Sequence, residues 1–252
     1  MGASISIRGV VISARPHRDQ DAIISILSYN QGVISAMVPG AKKHSSRLAS
    51  LATPPLLADF VLSESKGYYY LKEGETVESF KGLYNSFEAL TSASHILEVV
   101  NDTTVDIDSA RAIYPMLLYV LYDLSVHPEK YRQIVAAFEW RIMDALGFGF
   151  DLSECTCGKP NEMPTRAFSY SKCRLFCSNV NCISQAGDYH FISPGCVEAL
   201  RYIRQAPLER LSAFHAEKFV LDDLCEVTHH YLCDRLEKNY DKMSILDALP
   251  PV

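Results

Sequence analysis

No apolar run in this 252-residue chain approaches the roughly 18 residues that a membrane-spanning helix requires, so no transmembrane segment is expected. The opening MGASISIRGVV lacks a charged region followed by an apolar block and does not read as a secretory signal. MGASIS formally fits the N-myristoylation pattern, but strand-like alternation begins at once where a lipidated tail is usually mobile. There is no internal repeat and no low-complexity tract. Gly-x-Ser-x-Gly, His-Glu-x-x-His and Gly-x-Gly-x-x-Gly are all missing, and Gly40-Ala41-Lys42 lacks the spacing of a phosphate-binding loop. His215-Ala216-Glu217 has the H-x-E of zinc deaminases without their downstream P-C-x-x-C, and reads as a helix start. Asp222 and Asp223 point to different sides of a helix. No catalytic constellation is legible, and the chain is not expected to be an enzyme.

Cysteine is missing from the first 154 residues, yet five of the eight fall between Cys155 and Cys182. With no export signal, thiols in such numbers suggest a reducing cytoplasm, where they hold metals or pack in cores. Excess positive charge is lacking too, at a net −6. Its distribution is uneven. Residues 1–50 set Arg8, Arg15, Arg18, Lys42, Lys43 and Arg47 against Asp19 and Asp21, six cations to two carboxylates. That leaves +4 there and therefore −10 on the remainder, the balance of a basic module for polyanions joined to an acidic body.

The first 80 residues read as β structure. ISIRGVVISA, DAIISILSY, VISAMVP, LLADFVLSES and YYYLKEG are β-branched or aromatic runs, with turns at RPHRDQ, Asn30-Gln31-Gly32 and Lys66-Gly67. Five short strands without a long helix predict a small barrel. From about Leu83 the period changes. LYNSFEALTSASHILEVVND, ARAIYPMLLYVLYDLS and EKYRQIVAAFEWRIMDALG carry apolar residues three and four apart, as buried helix faces do. Asp108 or Ser109 is the expected cap of the second helix, His127-Pro128 the opening of the third, and Gly147 and Gly149 its end. SPGCVEALRYIRQ and FHAEKFVLDDLCEVTHHYLCDRLEKN predict two more helices, packing back on the earlier ones. The expected class is α+β and multidomain: a barrel over 1–80, then a helical domain over 81–252 with a thiol-rich insertion at 151–190.

That insertion, ECTCGKPNEMPTRAFSYSKCRLFCSNVNC, is turn-rich and has paired cysteines at each end. Four thiolates about 2.3 Å from a zinc ion place neighbouring sulfurs about 3.8 Å apart. Cys155 and Cys157 meet this if the chain curls, and a second pair comes from Cys173, Cys177 and Cys182, one of which is surplus. Lys159, Arg166, Lys172 and Arg174 lie close enough in sequence to offset the negative charge of such a centre. A thiol-only shell leaves no open position, so the expected metal is structural. Cys225 and Cys233, eight apart on one helix face, read as core fillers, as does Cys196. His190 is a minor candidate for a ligand.

The second candidate site is PGAKKHSSR, together with RPHR in the preceding strand connection. Such cations neutralise phosphates along a nucleic-acid backbone, and Tyr29, Tyr68, Tyr69 and Tyr70 offer faces on which bases can stack.

Ordered signposts along nearly the whole chain resemble the RecO family of bacterial DNA repair proteins. They are VVISARPHRDQDAIISILSYNQGVISAMVPGAKKHSSRL, HILEVVNDTT, AAFEWRIMDALGFGFDLSECTCG, Phe168-Ser169 before Leu175-Phe176-Cys177, and NYDKMSILDAL. The resemblance implies an N-terminal OB-fold, a helical domain and a zinc-binding element. It also implies binding of single- and double-stranded DNA and annealing of complementary strands. Partnership with RecR and with the C-terminal tail of single-strand-binding protein, which helps load RecA, is implied as well. Lys42, Lys43 and Arg47 then fall where the family presents DNA-contacting cations, with Arg15 and Arg18 beside them. Cys155, Cys157, Cys177 and Cys182 fall nearest its metal ligands, with Cys173 as the alternative. Departures are visible: C-x-C and C-x₄-C stand in place of two C-x-x-C pairs, Pro39 replaces a lysine, and His95 stands in the place of a tyrosine. No motif fixes the pocket for the acidic tail; Lys130, Arg132 and Arg141 are helical cations able to receive it. The expected location is the cytoplasm, at the nucleoid. A rival reading is an adaptor whose acidic helical part recruits repair partners while the barrel touches no DNA.

Overall fold

The computed structural model describes residues 4–43, 46–155, 157 and 165–248. They form two compact units: Met1–Glu129 together with Lys242–Val252, and Lys130–Asp241. None of the described helices is long and apolar enough to cross a membrane.

The first unit is built on the five predicted strands: β1 (Ser4–His17), β2 (Asp21–Ser28), β3 (Gly32–Val38), β4 (Leu56–Ser65) and β5 (Tyr68–Glu78). They close into a barrel in the order β1-β2-β3-β5-β4, with β3 and β5 parallel and the other pairs antiparallel. This is the five-stranded barrel of the OB-fold. Strict alternation fills it. In β4, Leu56, Ala58, Phe60 and Leu62 point inward, and Val11, Ile24, Ile26, Ile34, Ala36, Val38 and Leu71 complete the core. A bulge between Val11 and Ser13 lets the long β1 pair with β4 through its first half and with β2 through its second.

Helices α1 (Phe87–Thr103) and α2 (Ile107–Val126) belong to this unit, packing on each other and on β1, β2 and β3. The cap of α2 is Asp106, two residues before the earlier of the two expected positions. Its carboxylate accepts the Ser109 N–H at 2.7 Å and the Asp106 N–H donates back to Ser109 Oγ at 3.1 Å. Ser109 is thus the third residue of the helix and answers the cap. Between barrel and helices, Gly82 is pressed on the end of α2, where an added Cβ would lie 1.9 Å from the Ser125 carbonyl oxygen. Gly82→Ala is expected to cost about 3 kcal/mol, because backbone rather than a side-chain tip must move. An unchanged urea midpoint would contradict this packing.

In the second unit α3 (Tyr131–Ala145) packs against α5 (Pro194–Gln205) and α6 (Lys218–Leu236), so helices from both sides of the insertion share one core. A single turn of 3-10 helix at Pro128–Lys130 precedes α3, and Gly147, at φ 83°, follows its end. The centre of this core is Trp140, whose indole N–H donates to the Leu200 carbonyl at 3.0 Å. Phe150, Phe168 and Tyr231 surround it, with Phe150 stacked on Phe168 at 3.9 Å. The described residues of the insertion form regular elements rather than a turn-rich loop. It holds β6 (Arg166–Ser169), β7 (Arg174–Cys177), α4 (Val180–Ala186) and β8 (Tyr189–Ile192), the strands forming a sheet in the order β7-β6-β8. Each strand has four residues, too few for alternation to register in the sequence.

Candidate metal centre and nucleic-acid interface

The thiols converge because the backbone before the insertion runs alongside β7. The Asp151 N–H donates to the Cys173 carbonyl at 2.7 Å and the Leu175 N–H to the Asp151 carbonyl at 3.2 Å. This parallel bridge, Asp151 to Arg174, starts the segment that carries Cys155 and Cys157 beside the strand that ends in Cys177. Asn179 opens α4, and its carbonyl accepts the Cys182 N–H at 2.9 Å, turning that residue back on the same point. The sulfurs of Cys155 and Cys182 are 3.8 Å apart and those of Cys157 and Cys177 are 3.6 Å apart. All four lie within 4.8 Å of one another, an arrangement that can hold a metal ion. The two shorter spacings match the edge of a tetrahedron of sulfurs about 2.3 Å from a centre. The shorter C-x-C step and the longer C-x₄-C step thus compensate each other.

Two of the four thiols are shifted in opposite directions. Burial pushes the Cys155 thiol up, but hydrogen bonds from Cys177 and Cys157 outweigh it and bring it to about 7. Cys182 is pushed up to about 12, first by its hydrogen bond with Cys177 and then by burial. Metal binding to this set must release protons.

Cys173 is not one of the four. It sits in the β6–β7 turn, at the start of a strand that ends with Cys177, roughly 13 Å away at the rise of a β-strand. Its sulfur is instead 3.6 Å from both the Tyr231 hydroxyl and Arg235 Nη1. His190 also lies elsewhere, with Nδ1 3.2 Å from Glu226. Of the expected neighbouring cations, Arg166 pairs with Glu154 at 3.1 Å and Arg174 approaches Asp151 at 4.0 Å. Lys159 lies outside the described residues.

The basic candidates gather at one end of the barrel. Ala22, at the start of β2, is paired with Pro16 of β1 on one side and Val38 of β3 on the other. The β1–β2 turn, with Arg18 in the left-handed region at φ 51°, therefore adjoins the loop that leaves β3. Two bonds lock turn and loop together: Lys42 N–H to the Gln20 carbonyl at 3.0 Å, and Gly40 N–H to the Asp21 carboxylate at 2.8 Å. Gly40 supplies the positive φ of 65° that reverses the chain after Pro39. Ala41, Leu48 and Leu51 pack on the barrel core, while Lys42, Lys43 and Arg47 are exposed, as are Arg15 and Arg18. None of these five cations is ion-paired among the described residues. His44 and Ser45 lie outside the described residues.

Arg8, the sixth cation of the opening segment, is different. Its Nε and Nη2 bond Asp59 at 2.8 and 2.7 Å across β1 and β4. Glu75 is the next partner along the same row and Glu73 is close by, around a groove of about 500 Å³. The barrel is thus polarised, with a basic end and an acidic flank that charge counting over 1–50 did not reveal. Among the tyrosines, Tyr68 is 67% exposed, while Tyr69 turns to the core and Tyr29 meets Tyr114 edge-on at 6.2 Å.

The helical cations offered for an acidic tail are mostly engaged. Arg132 binds Asp222 at 2.7 Å, and Arg141 donates to the carbonyls of Ile203 and Arg204. Lys130 is exposed.

Comparison with known proteins covers most of the chain. Residues 1–80 match the family described as Recombination protein O N terminal, and residues 84–244 match Recombination protein O C terminal. The chain is 34% identical over 242 residues to the DNA repair protein RecO of Acetivibrio thermocellus, covering 96% of this chain and 95% of that one. Identity is 28% to the DNA repair protein RecO of Clostridium perfringens, over 90% of both chains. To the protein of the same name in Heliobacterium modesticaldum it is 27%, over 96% of this chain and 89% of that one.

Proposed function

The chain belongs to the RecO family of DNA repair proteins, with a role in DNA repair and recombination, and from that premise we propose that it binds DNA through the basic end of its barrel. Arg15, Arg18, Lys42, Lys43 and Arg47 would neutralise phosphates of single or double strands without reading bases. Annealing follows from the same chemistry, since neutralising two backbones lowers their repulsion and leaves base edges free to pair. DNA binding and annealing need no bond breaking, so in this role the protein acts as a mediator and not as an enzyme. Its partners would be RecR and the acidic C-terminal tail of single-strand-binding protein, and together they help RecA load onto coated DNA. Such work belongs in the cytoplasm, at the nucleoid.

The observation that carries this reading is the gathering of five exposed cations, unpaired among the described residues, on two backbone segments locked to each other. Cys155, Cys157, Cys177 and Cys182 would hold a structural zinc ion, which holds the two ends of the insertion together; with four protein ligands it has no position left for a substrate.

Titration of a fluorescent single strand at several salt concentrations tests the proposal. Five phosphate contacts give a slope of log affinity on log salt near −3.5, hence a loss of about 100-fold between 50 and 200 mM. A slope near zero with folded protein would remove the basic end from the function and favour the adaptor reading.

A further inference from the structure

Three cysteines lie on the helices of the second unit, outside the metal cluster. Cys196 and Cys225 are what the sequence suggests, packed thiols. Burial pushes both up, Cys225 to about 12, and the Cys225 sulfur is 3.7 Å from the Arg132 carbonyl. Cys233 lies two turns further along the same helix, α6, and is only partly buried. Its sulfur is 3.6 Å from Nε2 of His229, one turn earlier on that face. The other ring nitrogen, Nδ1, is 2.8 Å from Oε1 of Glu139 on α3. Glu139 has a side chain only 2% exposed, and its Oε2 accepts the Thr228 hydroxyl at 3.0 Å. A buried carboxylate therefore orients an imidazole, and the imidazole faces a reachable sulfur. These are the relations that activate cysteine nucleophiles on unrelated folds.

Charge favours the same outcome. Contact with Cys233 and then with Glu139 raises His229 to about 10.

We propose that Cys233 is a nucleophilic thiol, activated by His229 with Glu139 positioning the ring, whose substrate is a small hydroperoxide. The thiolate attacks the terminal peroxide oxygen. An S–O bond forms as the O–O bond breaks, and sulfur is oxidised by two electrons to a sulfenic acid. The departing alkoxide or hydroxide takes its proton from the His229 imidazolium and leaves as alcohol or water. Cys225 is eight residues away, about 12 Å along the helix, too far to close a disulfide with Cys233. The sulfenic acid therefore awaits an external thiol.

The test uses the full-length, metal-loaded protein at pH 7. Limiting iodoacetamide is applied under native conditions with glutathione as competitor, and labelling is read peptide by peptide by mass spectrometry. Cys233, in contact with His229, should label ~10-fold faster than glutathione, and Cys225 and Cys196 more slowly than either. One equivalent of hydrogen peroxide with dimedone should then place the sulfenic-acid adduct on Cys233. His229→Gln should bring its labelling down to the glutathione rate. Labelling of wild-type Cys233 no faster than glutathione overturns the proposal, whether or not the variant folds. So does a folded His229→Gln protein that labels at the wild-type rate.

Discussion

Cys177→Ser is expected to abolish stoichiometric metal binding, whereas Cys173→Ser retains one metal per chain. Cys177 is the buried member of the four and ends the strand around which the others assemble. A ligand present at 1,000 times its dissociation constant contributes about 4 kcal/mol of stability. Losing the proposed zinc therefore lowers the thermal midpoint of the second unit by ~10 °C or more. Elemental analysis gives the metal content and a chelator titration gives the stability. Should Cys173→Ser lose the metal while Cys177→Ser keeps it, the centre described above is wrong.

Reversing two charges, Lys42→Glu with Lys43→Glu, is expected to weaken single-strand binding at least ~10-fold near 100 mM salt. The dependence on salt should flatten from a slope near −3.5 to about −2, because two of five phosphate contacts are lost. Both side chains are exposed and their loop is held by backbone bonds and by Ala41 and Leu48, so folding should be unaffected. Arg8→Ala is the matching control. Its guanidinium already binds Asp59 on an exposed surface, and its removal should change affinity by less than about threefold. Equal losses from both variants would mean that binding follows total charge rather than the end of the barrel.

The division between what the sequence discloses and what it hides follows the range of each interaction. Alternation in LLADFVLSES and three-four spacing in FEALTSASHILEVV are local, and both elements form where the spacing puts them. Asp106 and Ser109 cap each other, and composition alone does not say which one starts α2. The four-residue strands of the insertion carry no period to read. Cys173, Cys177 and Cys182 were equivalent as letters. Only the path of β7 separates them, putting Cys173 at one end and Cys177 at the other. Arg8 counted as a free cation because its partner, Asp59, is 51 residues away. Glu139 and His229, 90 residues apart, gave no sequence signal at all.

The short stretch after Asp241 has a bearing on how the protein can be dissected. Lys242 donates to the Ser94 carbonyl at 3.0 Å and pairs with Glu98 at 3.2 Å, while Ser92 lies 3.8 Å from the sulfur of Met243. The barrel-bearing body is thus sewn from two separated lengths of polypeptide, with the cysteine-bearing body spliced between them. A stop codon placed after Glu129 would deliver a fragment missing one of its own seams. Dissection would succeed better by excising 130–241 and bridging the gap than by trimming from one end.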